Sequence, residues 1–134
     1  MKKIFIVTIL YMSSLLSTNI DYKNALIKAK DEHKIIMIML EKENCHFCKK
    51  MEDEVFIDKN VSKILDRDFI LVKLDVNRDE LPLGLKKGMT PTFAFIKESG
   101  VMFSLIRGAW KRDDFISLLR YVKRKSKLKR ELIK

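Results

Sequence analysis

Soft metal ligands are scarce in this sequence, with two cysteines and two histidines among 134 residues. A structural zinc site wants four such ligands, usually two cysteine pairs or one pair and two histidines. His46 lies between Cys45 and Cys48, poor geometry for joining the same tetrahedron, and only His33 remains besides. No metal is therefore expected. Glycine and proline are scarce too, four and two, so each one should mark a turn. No internal repeat and no low-complexity block occurs. The hydrophobic share of 47% and charged share of 34% exclude a disordered chain. The length suits one domain with a core that needs no disulfide staples.

A long apolar run is also lacking. Ile4 to Leu16, "IFIVTILYMSSLL", carries no charge but falls short of the roughly 20 residues that span a membrane. It follows Met1-Lys2-Lys3 and precedes Ser17, Thr18 and Asn19, the layout of a secretory signal peptide. A buried N-terminal strand is disfavoured, because the run does not alternate and lysines precede it. No A-x-A cleavage pattern is present, so an uncleaved anchor is the other outcome. No cysteine stands near the end of the run, so a lipid anchor is not indicated. The expected division is 1–18 signal peptide or anchor and 19–134 one folded domain. The expected place is the periplasm.

What is abundant is positive charge, a net +10, much of it in the C-terminal "KRKSKLKRELIK". Basic tails suggest nucleic acid, but an exported protein rarely meets any. A solvated helix end, or a weak contact with anionic lipid, accounts for it better, and cations at a helix C-terminus oppose the dipole.

The apolar spacing predicts a helix over about 20–31, capped by Asn19 or Asp21, with Tyr22, Ala25, Leu26 and Ala29 on one face. "KIIMIML", 34–40, reads as a strand buried on both sides. A helix should open at Cys45, and a short second one should follow Asp58. "FILVKLDV", 69–76, is the second strand. "TPTFAFI" gives a third strand from Pro91, "KESG" a hairpin turn and "VMFSLI" a fourth strand. Gly108 breaks the pattern, and Phe115, Ile116, Leu118, Leu119 and Val122 line a last helix from Arg112. The strand–helix–strand unit should be parallel and right-handed and the hairpin antiparallel. The fold class is therefore α/β, with a mixed four-stranded sheet and helices on both faces.

Both cysteines fall in "NCHFCKKM", between a buried strand and a helix start. Three readings compete: a redox pair, half a metal site, or a structural staple. Ligand arithmetic disfavours the metal, and so small a loop gives a staple little to stabilise. A reactive dithiol fits best. The thiolate is the nucleophile in disulfide exchange, and unpaired N–H groups at a helix N-terminus stabilise an anion. Cys45, at the exposed start, would attack. Cys48, one turn on and more buried, would resolve the mixed disulfide. His46, when protonated, and Lys49 would add positive charge, and Phe47 would shape the surface. Thr90-Pro91, just before the third strand, would set a backbone edge against the cysteines if that bond were cis.

The motifs "CHFCKKME…VF.D..V", "F..VKLDV", "TPTFAFI…G" and "RGAW…FISLL" resemble the thioredoxin family. More narrowly, they are similar to its exported SoxW-like and DsbD C-terminal-domain-like members. The likeness runs from residue 20 to about 123. It implies a thioredoxin fold, Cys45 as nucleophile, Cys48 as resolving cysteine, and Pro91 as a cis-proline facing them. Thr90 fits exported reductases and isomerases. Two positions depart from the family. Asn44 replaces the familiar tryptophan, and Met39 stands where a buried acid assists the resolving thiol, with Glu41 or Glu43 as substitutes. The resemblance implies no cofactor beyond the cysteines' own redox disulfide. It implies envelope proteins with disulfides as substrates and a membrane electron donor of the DsbD or CcdA type. An exported protein is expected to meet no nucleic acid, and with no obvious extra dimerisation domain in the sequence a monomer is expected. A redox-inert peptide-binding module and an isomerase or oxidase are the alternatives.

Overall fold

The structure, a computed structural model, describes residues 21–131. The apolar run read as a signal peptide, and Asn19 with it, lie outside the described residues. Helix α1 (Tyr22–Glu32) begins at Asp21, whose carboxylate accepts from the Asn24 amide at 2.8 Å, satisfying an N–H that the helix cannot. It ends at His33 in the left-handed region. Strand β1 (Ile35–Glu41) is buried to Leu40, as its unbroken apolar run requires. Helix α2 (His46–Lys50) widens into a π-helical turn, α3 (Met51–Phe56), that the apolar spacing did not reveal. The wider turn keeps Met51 and Val55 in the core and leaves Glu52 on the rim, paired with Lys73. Helix α4 (Lys59–Asp68) is longer than expected, and Asp58 caps it through the Asn60 and Val61 amides.

Strands β2 (Phe69–Asp75), β3 (Thr92–Ile96) and β4 (Met102–Arg107) complete the sheet, and α5 (Arg112–Glu131) closes the chain. The strand order is β2-β1-β3-β4. β1 and β2 are parallel, Ile35 opposite Phe69 and Glu41 opposite Asp75, while β3 runs against both β1 and β4. The mixed sheet expected from the sequence is the one observed. Pro91 stands just outside β3, since it has no N–H for the ladder.

One face of the sheet packs Met37, Met39, Phe93 and Phe95 against Cys48, Met51, Val61 and the Phe115–Leu119 side of α5. The other packs Ile36, Ile38, Ala94 and Ile96 against Ala25 and Ala29 of α1. Helices thus cover both faces. The alternation places Met37, Met39 and Glu41 on the same side as α2.

Candidate active site

The C-terminal end of β1 and the entry to β3 meet at the start of α2. Asn44, the last residue before the first cysteine, has φ +59°. Asparagine tolerates that left-handed turn where a large side chain is disfavoured, which gives a local reason for the missing tryptophan. Cys45 then caps α2, with its Sγ accepting from the Cys48 amide at 3.2 Å. One otherwise unpartnered N–H of the first turn therefore points at this sulfur, the setting that stabilises a thiolate.

Cys45 and Cys48 are joined in a disulfide, their Cα atoms 5.2 Å apart. Cys45 is half-buried and Cys48 only 4% exposed, the asymmetry expected of an attacking and a resolving thiol. Thr90 and Pro91 are joined by a cis bond, and the Thr90 hydroxyl donates to Cys45 Sγ at 3.3 Å. The expected approach of this turn to the cysteines is present. Gly108, at φ +95°, gives its amide to the Pro91 carbonyl at 2.9 Å and so ties the end of β4 to the same turn. Nothing lies within 4 Å of a Cβ added there, so backbone conformation, not crowding, calls for glycine.

His46 is exposed and sets its ring edge to Phe47, centroids 5.5 Å apart. Phe47 is 58% exposed. Lys49 does not stand as a free cation beside the sulfurs, because Asp53 takes its ammonium at 2.8 Å. Met89 is a large exposed side chain that the sequence reading passed over. Its carbonyl accepts from the Thr92 hydroxyl at 2.7 Å, which fixes it beside Thr90. Phe47, between the two cysteines in the chain, and Met89, next to Thr90, are thus large exposed apolar side chains adjoining the residues of the site.

A cavity of about 530 Å³ opens on the other side of the pair. Glu41, Glu43, Glu52, Asp75, Lys49 and Arg78 line it with both cysteines. Met39 is fully buried in the same core cluster as Cys48 and Phe93, so the family's buried acid has no counterpart at its own position. The carboxylate comes one pleat later on the same face, at Glu41. Burial first, and the Glu52 carboxylate next, push the Glu41 carboxyl above its usual range. Lys73 opposes the rise, and Asp75 and Asp79 add to it. Lys73 pairs with Glu52 and Arg78 with Asp75. The Asn77 amide, ahead of burial and the Arg78 pair, determines that the Asp75 carboxyl sits below its usual range. Glu43, the other substitute, is an exposed loop residue.

A disulfide at a helix start, faced by a cis-proline turn beside a mixed sheet of this order, defines a thiol–disulfide oxidoreductase of thioredoxin fold. The family model described as "Thioredoxin-like domain" matches residues 22–123, and the chain belongs to that family. A 60-residue stretch is 37% identical to spermatogenesis-associated protein 20 of Homo sapiens. That stretch is 45% of this chain and 7% of the human protein, so the match spans a small part of the curated relative. The solution structure of a thioredoxin from Thermus thermophilus superposes with a TM-score of 0.66 at 28% identity, covering 75% of this chain and 82% of that one. The reduced DsbD C-terminal domain of Neisseria meningitidis gives 0.57 at 22% identity, over 74% of this chain and 91% of that one, a likeness of fold.

Proposed function

We propose that this protein is a periplasmic reductase of protein disulfides. In the reduced protein the Cys45 thiolate attacks one sulfur of a substrate disulfide. A mixed disulfide forms, and the other substrate sulfur leaves as a thiolate that takes up a proton. Cys48 then gives up its proton and attacks Cys45, releasing the second substrate sulfur as a thiol. Two electrons have passed to the substrate, and the protein is left with the Cys45–Cys48 disulfide. A membrane dithiol donor of the DsbD or CcdA type returns the electrons.

The observation that carries this reading is the unequal exposure of the two sulfurs at the start of α2, with Cys45 open to a partner and Cys48 shielded. Glu41 is the carboxylate suited to accept the Cys48 proton. It lines the same cavity, and its raised proton affinity brings it nearer to a thiol's. Thr90 and the exposed Phe47 and Met89 are the groups a polypeptide would meet beside the reacting sulfur. The reductase direction draws on Thr90 and the family likeness, and the periplasm on the signal-like N-terminus. Envelope proteins carrying disulfides are the fitting substrates there.

Reduction of insulin disulfides by wild type and by Cys45→Ser tests the reading. Turnover by the wild type and none by the variant is expected. Equal inactivity with peptide binding retained in both would mean a binding module instead. A reduction potential near the roughly −120 mV of a strong oxidant, not the roughly −270 mV of thioredoxin, would reverse the direction.

A further inference from the structure

The end of the sheet remote from the cysteines carries a charge that disulfide exchange does not use. α4 ends there at Asp68, immediately before Phe69, which pairs with Ile35 at the start of β1. α5 arrives from the redox end. Among the described side chains its last buried one is Val122, and the helix continues to Glu131, about 13 Å further at 1.5 Å per residue. The two helices are pinned by Asp68, which holds Lys123 at 3.2 Å and Arg67 at 2.7 Å. Burial raises the Asp68 proton affinity, but hydrogen bonds from Arg67 and Lys123 outweigh it and hold the carboxyl below its usual range.

Around this pin lies a shallow groove of about 200 Å³ floored by Ile64 and Leu119 and rimmed by Arg120 and Arg124. Both arginines are exposed and pair with no carboxylate among the described residues. Lys63 and Lys127 are exposed on the same two helices; Asp66 is an exposed acid on α4, and the exposed Asp113 and Asp114 stand in the first turn of α5, at its opposite end. Exposed apolar side chains accompany the cations along α5 from Tyr121 onward. Tyr121 is 49% exposed and Leu128 63%. Between them Lys125 holds its ammonium 6.0 Å from the centre of the Tyr121 ring. Spacings of four and three residues put the three on one stripe of the helix. Cations mixed with an exposed aromatic and a leucine on a helix suit the boundary of a lipid bilayer, where rings sit at headgroup level and lysine stems reach outward.

We propose that this basic end, formed by α4 and the projecting half of α5, docks on the anionic phosphates of a phospholipid membrane. The redox disulfide then faces away from the surface. The inference does not depend on the direction of electron flow. Nucleic acid shares the phosphate but gives Leu128 no role.

The test uses the full chain and vesicles of phosphatidylcholine with and without 30% phosphatidylglycerol. The readout is the ratio of binding to the two, which cancels the uncharged contribution of the apolar N-terminal run, while the charge of Lys2 and Lys3 is common to the wild type and every variant. At low salt the wild type is expected to favour the anionic vesicles by about tenfold or more, since each basic side chain near such a surface contributes severalfold. High salt should abolish the preference. Arg120→Glu with Arg124→Glu should remove it while insulin reduction is unchanged. Lys86→Glu with Lys87→Glu makes the same charge change in an exposed loop at the redox end and should largely keep it. Leu128→Ser should weaken binding to anionic vesicles severalfold. Equal loss in both double variants, no preference in the wild type, or no effect of Leu128→Ser would overturn the proposal. Displacement from the vesicles by duplex DNA at matched phosphate concentration would assign the surface to nucleic acid instead.

Discussion

The two ends of the sheet are built from similar residue types and do different things with them. At the end where β1 stops and β3 begins, acids and bases interleave and pair, as Lys73 with Glu52 and Arg78 with Asp75. Of the carboxylates lining the cavity there, Glu41 and Glu43 have no ion-pair partner among the described residues, and Glu41 is the half-buried one, lining the same cavity as the cysteines. At the other end the acid is the buried one: Asp68 ties two helices together, and Arg120 and Arg124 remain outside. One end is arranged for proton and sulfur chemistry and the other for structure and contact. The topology imposes this division. Parallel β1 and β2 place their carboxyl ends, the loops that follow them and the start of α2 together, whereas the remote end receives helix C-termini, which favour cations.

If the ends are separable, substitutions at one should change rates and substitutions at the other stability or binding. Cys45→Ser should have the largest effect, a loss of insulin reduction of roughly a thousandfold or more, with an unchanged far-ultraviolet dichroism spectrum. Glu41→Gln should slow release of the mixed disulfide by about tenfold to a hundredfold, the scale of general base catalysis, as read by single-turnover kinetics. Its effect on stability has the opposite sign. A carboxyl whose folded proton affinity is raised favours folding below its ordinary pKa, and that contribution is lost as pH rises through the folded value. The glutamine variant should therefore melt above the wild type at pH 8 and lose that advantage near pH 4.

Asp68→Asn probes the opposite end. Loss of two charge-assisted hydrogen bonds at a nearly buried carboxylate should cost about 1–3 kcal/mol in urea unfolding, with the rate of insulin reduction unchanged. Asp68 has the lowered affinity, so its contribution is present above the ordinary aspartate pKa of about 4. It is lost as pH falls through the lower folded value. Freeing Arg67 and Lys123 should also strengthen binding to anionic vesicles. The smallest effect belongs to Thr90→Val, which removes the hydroxyl 3.3 Å from Cys45 Sγ. It should lower the rate only a few-fold, most visibly below pH 7, because a hydrogen bond to a thiolate favours the ionised form. A large rate effect from Asp68→Asn, or none from Glu41→Gln, would break the separation.

Much of this organisation is legible in the sequence because it rests on local chemistry. "KIIMIML" reads at its length as a strand buried on both sides, Asp21 is one of two candidate caps for the first helix, and Asp58 marks where a later one starts. The spacing of Cys45 and Cys48 is one helical turn, and it reads directly as a pair with unequal exposure. Other features depend on three-dimensional neighbours. The π-helical turn at Met51–Phe56 leaves the apolar spacing of Met51 and Val55 intact, so periodicity does not reveal it. Lys49 reads as a cation near the sulfurs until Asp53 is seen to hold it. Glu41 and Glu43 are equivalent on paper. Strand alternation and the raised proton affinity favour Glu41, because only the sheet shows which of them shares a face with Cys48. The basic C-terminal run is plain in the sequence, but its convergence with α4 around Asp68 belongs to the fold.

The central claim is that Cys45 attacks and Cys48 resolves. It is tested most directly by incubating the two reduced serine variants with a disulfide-linked peptide and weighing the products. Cys48→Ser should accumulate one covalently bound peptide thiol per chain, attached at Cys45. Cys45→Ser, with its remaining sulfur 4% exposed, should accumulate little. A stable adduct on Cys48 in place of Cys45, or none in either variant, would contradict the account.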